Sequence, residues 1–236
     1  MGRTSEMLQS AVAAMFPGRC AGCGRAAEPV CAACAAGLRR PPPLPLPPAL
    51  DGWVAAFAYE GVAREIVARV KYRNERAAVP WLADAMTAAF AERLPRAAPG
   101  VVTWAPASAQ RRHASGFDHG ELLARAVARR LRVPVARLLV RGPGPPQTGR
   151  SRADRRPGPA LSAAGRGAVP GTQGRVVVLV DDVVTTGATV NAGALVLRRA
   201  GAAGVLALTA AATPPRGHAP GPGPGDVPSD LPILRR

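Results

Sequence analysis

The sequence is nearly devoid of lysine: among 31 basic residues, Lys71 is the one that is not arginine. Aromatic residues are also scarce, at 4%, although 47% of the chain is hydrophobic. Much of that apolar content is alanine, so any core must be built from small side chains. No apolar run approaches the length of a membrane span. Near the start, "AVAAMF" is too short for the apolar core of a signal peptide. Glu6 stands where a myristoylation signal requires serine or threonine. These absences predict a cytoplasmic protein without membrane insertion. A phosphate-binding Gly-x-x-x-x-Gly-Lys-Ser/Thr loop is missing as well. The "GPG" at 142–144 lies in a proline-rich stretch rather than between a strand and a helix, which excludes a dinucleotide fingerprint there. No internal repeat is evident.

What is present begins with charge. Thirty-one basic against 15 acidic residues give +16, which suits nucleic acid, an anionic surface or phosphorylated small molecules. With so much alanine, glycine and proline beside the arginines, a GC-rich coding bias accounts for the same charge. The 26 glycines and 26 prolines cluster, and so mark boundaries. Residues 1–40 form a cysteine-bearing segment. Residues 41–50, "PPPLPLPPAL", read as a stiff polyproline-type linker. Residues 51–213 alternate strand and helix patterns, and 214–236 cannot bury enough apolar surface to order themselves.

Within 51–213, strands are expected at "WVAAFAYEG", "GVVTWAPAS", "PVARLLV", "VVVLV" and "GVLALTAA", and helices at "VAREIVARVKYRNER", "VPWLADAMTAAFAERL", "DHGELLARAVARRL" and "TVNAGALVLRRA". Asp118 and Glu121 have the spacing of a capping box. A polar, arginine-rich loop is expected from Gly142 to about Gly174. Alternation of this kind implies an α/β fold, a mainly parallel sheet flanked by helices, with ligands at the carboxyl ends of the strands.

One such end carries the chemistry. After Val176–Val180 come Asp181 and Asp182, and then the turn Val183, Val184, Thr185, Thr186, Gly187, Ala188 and Thr189. Hydroxyls, a glycine and the free N–H groups of a helix start make an anion cradle. Two carboxylates beside it make sense for a ligand that is phosphate at one end and diol in the middle. The four cysteines, Cys20, Cys23, Cys31 and Cys34, are spaced C-x2-C-x7-C-x2-C. This suits one closed, structural Zn2+; disulfides are the alternative, disfavoured in a cytoplasmic chain.

Val177–Thr189 resembles the 5-phosphoribosyl-1-pyrophosphate signature of type I phosphoribosyltransferases. With the cysteine knuckle, the chain resembles the ComF family of competence-associated proteins. The resemblance implies the type I phosphoribosyltransferase fold with a small zinc-binding segment. It further implies transfer of a phosphoribosyl group with release of pyrophosphate, Mg2+ bound with the substrate diphosphate, and single-stranded DNA or DNA-processing proteins as partners. Asp181 and Asp182 would meet the ribose hydroxyls, and 183–189 would hold the 5-phosphate. "YEGVAREIVARVKY" resembles a family segment that places Arg64 and Lys71 on one helix face toward phosphate. "TWAPASAQRRHASGFDHGELLA" resembles the family's pyrophosphate loop, in which Ala107 and Ser108 offer backbone N–H groups. Ser115 departs from the usual arginine there, with Arg111 and Arg112 nearby. "PPQTGRSRADRR" resembles a loop whose Arg155 would close over pyrophosphate. A non-catalytic sensor of the same ligand, or a DNA-binding accessory protein, is the competing expectation.

Overall fold

The computed structural model describes residues 18–26, 29–41, 43–72, 76–142, 159–165 and 172–214. The expected Arg155 loop, most of the tail and the first 17 residues lie outside the described residues. So do the side chains of Arg111 and Ser115.

In chain order the elements are α1 (Ala32–Ala36), β1 (Gly52–Ala58), α2 (Gly61–Tyr72), α3 (Ala78–Arg93), β2 (Val101–Trp104), α4 (Ala109–Ser115), α5 (His119–Leu131), β3 (Leu139–Arg141), β4 (Leu161–Ala163), β5 (Val176–Val184), α6 (Ala188–Arg199) and β6 (Gly204–Ala212). The four long strands form a parallel sheet in the order β1-β6-β5-β2. Three elements depart from the sequence expectation, and one is β5, which continues through Val183 and Val184 by pairing with β6 where a turn is expected. The stretch after β2 carries the short helix α4 instead of continuing as loop. The loop expected from Gly142 supplies β4, which pairs antiparallel with β3. Three-residue strands leave too short an alternation to be read from pattern.

A parallel sheet needs cover on both faces, and β5 shows why its sequence is apolar without interruption. Val178 and Val180 join one cluster with Ile66 and Val67 of α2, Leu82 and Met86 of α3, and Leu123 and Val127 of α5. Val177 and Leu179 join the other, with Val190, Ala194 and Leu197 of α6. The nine residues of β6 are all buried. Alanines fill much of both layers, as the aromatic-poor composition requires.

The cysteine segment is no separate bead. Cys20, Ala21, Val30, Cys34 and Leu38 belong to the same apolar cluster as α2 and α3. The proline-rich stretch is likewise laid down on the fold. The Ala49 amide donates to Asn191 Oδ1 at 3.1 Å, and Arg198 Nε donates to the Ala49 carbonyl at 2.7 Å. Arg198 also pairs with Asp51 Oδ1 at 2.6 Å, while Asp51 Oδ2 accepts the Val205 amide at 2.7 Å. Burial opposes ionisation of Asp51, but the Val205 amide and Arg198 outweigh it and hold the carboxyl below its ordinary range. The strap therefore fastens α6 to β6 and to the entry of β1.

Candidate functional site

All four parallel strands end on one edge, and there the chain exchanges apolar residues for polar ones. By the two-residue alternation of a strand, Asp182 lies on the side of Val178 and Val180, and Asp181 on the side of Val177 and Leu179. Lys71, in the last turn of α2, meets Asp182: Nζ is 2.8 Å from Oδ1, with the two side chains 17% and 20% exposed. Asp182 Oδ1 also accepts its neighbour's amide, Val183 N, at 2.6 Å. Asp181 Oδ1 accepts the Asp182 amide at 2.8 Å. The two carboxylates differ in environment. Burial, followed by the charge of Asp182, pushes the Asp181 carboxyl up to about 8.

That asymmetry has a measurable consequence. Between the ordinary carboxyl value of 3.8 and about 8, folded Asp181 keeps a proton that the unfolded chain has released. Its contribution to stability is fully present below 3.8 and is lost as pH rises toward about 8. The slope is at most about 1.4 kcal/mol per pH unit. Asp181→Asn is expected to remove this component from urea-denaturation stabilities measured across pH 4.5–8.5. An unchanged slope would show that the carboxyl titrates normally.

Beyond the acids, the turn Thr185–Gly187 leads directly into α6. Thr185 and Thr186 are exposed, and Thr186 Oγ1 accepts the Ala188 amide at 3.4 Å. Gly187 holds φ +75°, a left-handed conformation that costs a side-chain-bearing residue energy, and a Cβ there would come within 2.9 Å of Pro47 Cγ. The proline strap thus forms one wall of the turn, a contact with no signal in the sequence. Val184 is buried, while Val183, Ala188 and Thr189 are half-buried around the turn.

Across the edge, Asp118 organises the loop after β2. Its Oδ1 accepts the Gly120 amide at 3.0 Å, capping α5, and its Oδ2 accepts the Ala107 amide at 3.0 Å. In this arrangement the Ala107 N–H, expected to be open to an anion, is already engaged. Ser108 carbonyl accepts the Arg112 amide, and Arg112 Nη1 donates to the Ala107 carbonyl at 2.6 Å. Glu121 turns to Arg125, 2.7 Å away, one turn along α5. Arg64 is exposed in the first turn of α2, about 10 Å of helix rise from Lys71. Sequence reasoning missed the buried His119, which follows the cap, and Phe117. The Phe117 ring lies 4.6 Å from the imidazole and carries the Arg76 guanidinium at 4.2 Å.

On the far side of α2, the four cysteine sulfurs all lie within 4.8 Å of one another. Cys23 Sγ and Cys31 Sγ are 3.8 Å apart, close to the edge of a tetrahedron with zinc–sulfur bonds of about 2.3 Å. Cys20 Sγ accepts amides from Cys31 at 3.2 Å and Gly22 at 3.4 Å. Burial opposes its ionisation, yet amides of Cys23, Cys31 and Gly22 bring the thiol down to about 6. Gly22 permits the close approach, since a Cβ there would sit 2.6 Å from Cys34 Sγ. Four convergent sulfurs with no open position fit a structural metal.

Residues 118–220 match the family model described as "Phosphoribosyl transferase domain". The chain is 36% identical over 120 residues to the adenine phosphoribosyltransferases of Mycobacterium avium (strain 104) and Mycolicibacterium paratuberculosis (strain ATCC BAA-968 / K-10), across 48% of this chain. It spans 66% of the length of these curated relatives. Among solved structures, the allosteric regulatory enzyme of purine biosynthesis aligns at 22% identity and TM-score 0.41, over 61% of this chain and 30% of that one. The glutamine phosphoribosylpyrophosphate amidotransferase from B. subtilis aligns at 21% and 0.39, over 60% and 30%. No described helix is long and apolar enough to cross a membrane.

Proposed function

We propose that this protein is a phosphoribosyltransferase that binds 5-phosphoribosyl-1-pyrophosphate with Mg2+ at the carboxyl edge of its sheet. It transfers the phosphoribosyl group to an acceptor and releases pyrophosphate. The observation that carries this is the Asp181–Thr189 passage, in which paired carboxylates near the end of β5 are separated by two strand residues from a glycine-hinged hydroxyl turn at the start of α6. The turn and the helix start take the 5-phosphate. Asp182 and Asp181 take the ribose hydroxyls, and the ionised member stabilises the positive charge that builds on the ring carbon as the diphosphate departs. A diol on Asp182 displaces Lys71, whose ammonium then serves the leaving group, with Arg64, Arg155 and the Ala107–Ser108 loop contributing at the diphosphate end. Mg2+, when bound, supplies charge neutralisation for that group. Among the described residues no three carboxylates converge into a cage, which suits an ion held mainly by substrate oxygens and water.

The cysteine cluster holds a structural Zn2+, and its union with a phosphoribosyl site supports the narrower kinship with the ComF family. Reduced cysteines suit a cytoplasmic setting. The +16 charge favours a second possibility, that the site senses its ligand without turnover in a protein serving single-stranded DNA or DNA-processing partners. Calorimetric titration of 5-phosphoribosyl-1-pyrophosphate with Mg2+, followed by an acceptor screen reading pyrophosphate release, tests both. Adenine comes first in the screen, because the named relatives are adenine enzymes. Absence of binding overturns the phosphoribosyl site. Binding without pyrophosphate release for any acceptor replaces the transferase with the sensor.

A further inference from the structure

Proline-rich backbone winds with three residues per turn, so residues three apart share a face. Pro41, Pro47 and Leu50 of the strap are buried and Leu44 is half-buried, whereas Pro43, Pro45, Leu46 and Pro48 are exposed. That period of three marks one face laid on the body of the protein, from a segment whose stiffness lowers the entropy lost on docking. At its end the strap folds back, the Leu50 amide donating to the Pro47 carbonyl at 3.0 Å. Between them, the Ala49 amide donates to Asn191 Oδ1 at 3.1 Å. Asn191 lies in the first turn of α6, and its own amide donates to the Gly187 carbonyl at 2.9 Å. One residue thus grips both sides of the close contact between Pro47 and Gly187, its backbone holding the glycine and its side chain holding the strap. Asparagine is a poor helix former, because its side chain competes for backbone groups. Its place in α6 is explained by the strap it binds and not by the helix.

We propose that Asn191 is a positioning residue: by holding the Ala49 amide it seats Pro47 against Gly187, and so sets the turn that takes the 5-phosphate. Its relevance to the phosphate rests on the proposed function, but its action on the turn does not. Arg198, two helical turns further along α6, fixes the Ala49 carbonyl and pairs with Asp51. The strap therefore stays attached when Asn191 is replaced, and what changes is how Pro47 is seated.

The proposal assigns the effect to one end of the ligand, so the test uses two half-ligands. Full-length wild type, Asn191→Ala, Pro47→Ala and the double variant are titrated with ribose 5-phosphate and, separately, with inorganic pyrophosphate and Mg2+. Asn191→Ala is expected to weaken ribose 5-phosphate about tenfold, the loss for one hydrogen bond of about 1.4 kcal/mol, and pyrophosphate less than about twofold. Alanine is the better helix former, so α6 itself is not weakened. Pro47→Ala should show the same selectivity. Because the two residues act through one contact, the double variant should lose about as much as the worse single variant, whereas independent effects would multiply to about 100-fold. Hydrogen exchange of the Ala49 and Ala188 amides should quicken about tenfold in Asn191→Ala without ligand. Equal losses for both half-ligands, or losses that multiply in the double variant, would overturn the proposal. Should Asn191→Ala fail to fold, Asn191→Leu carries the same expectations. If wild type binds neither half-ligand, the phosphoribosyl site falls, and exchange at Ala188 still decides whether Asn191 sets the turn: an unchanged rate means that it does not.

Discussion

Asp182→Asn is expected to weaken binding of 5-phosphoribosyl-1-pyrophosphate by about 10- to 100-fold in a calorimetric titration at pH 7.5. The estimate follows from the 1.5–3 kcal/mol typical of a hydrogen bond to a charged group, at about 1.4 kcal/mol per tenfold. Asparagine keeps the shape of the side chain, and its Oδ1 can still accept the Val183 amide. What it loses is the charge, for the ribose hydroxyls and for Lys71 alike. Because the Lys71–Asp182 pair is largely withdrawn from solvent, the variant also leaves an ammonium without its counter-charge, and a stability loss of about 1 kcal/mol should accompany the affinity loss. Lys71→Met separates the two effects. In that background Asp182→Asn should still weaken the ligand while costing little stability. An affinity within twofold of wild type would mean that the carboxylate does not face the sugar.

The second large effect belongs to the cysteines. Cys20→Ser is expected to abolish stoichiometric zinc, measured by metal analysis of the purified protein, where the wild type should give about one ion per chain. Binding free energy in such sites is folding free energy. Cys20 and Cys34 are buried in the same apolar cluster as α2 and α3, so the loss cannot stay confined to the knuckle. A destabilisation of at least about 3 kcal/mol is expected, which for a chain of this size is a fall in Tm of roughly 6–12 °C. Chelation of the wild type should reproduce it. A variant that melts like wild type, or a wild-type protein that folds fully without metal, would overturn the metal centre.

The parts of this molecule that were legible in its sequence share a cause: each depends on residues close together in the chain. The strand–acid–turn–helix passage at 176–199 could be read because β5 is apolar on both faces and its turn is a run of small polar residues. Four parallel strands followed from their alternation with helices. Features set by distant segments could not be read. Ala107 follows the anion-loop pattern locally, yet its amide is taken by Asp118, eleven residues on. Pro47 meets Gly187 only after the sheet has formed. The decamer at 41–50 has the composition of a free spacer, and composition does not reveal that Asn191 and Arg198 bind its backbone.

That strap also bears on modularity. A domain cut at Asp51, the boundary the composition suggests, would keep every strand of the main sheet and still lack a wall of the Thr185–Gly187 turn. The Pro47 ring shields Gly187, and the Ala49 backbone ties down the first and last turns of α6. The knuckle reaches the same domain from the opposite side through α2. The N-terminal segment is therefore scaffolding rather than cargo, and grafts that exchange such segments between relatives must carry the prolines along with the cysteines.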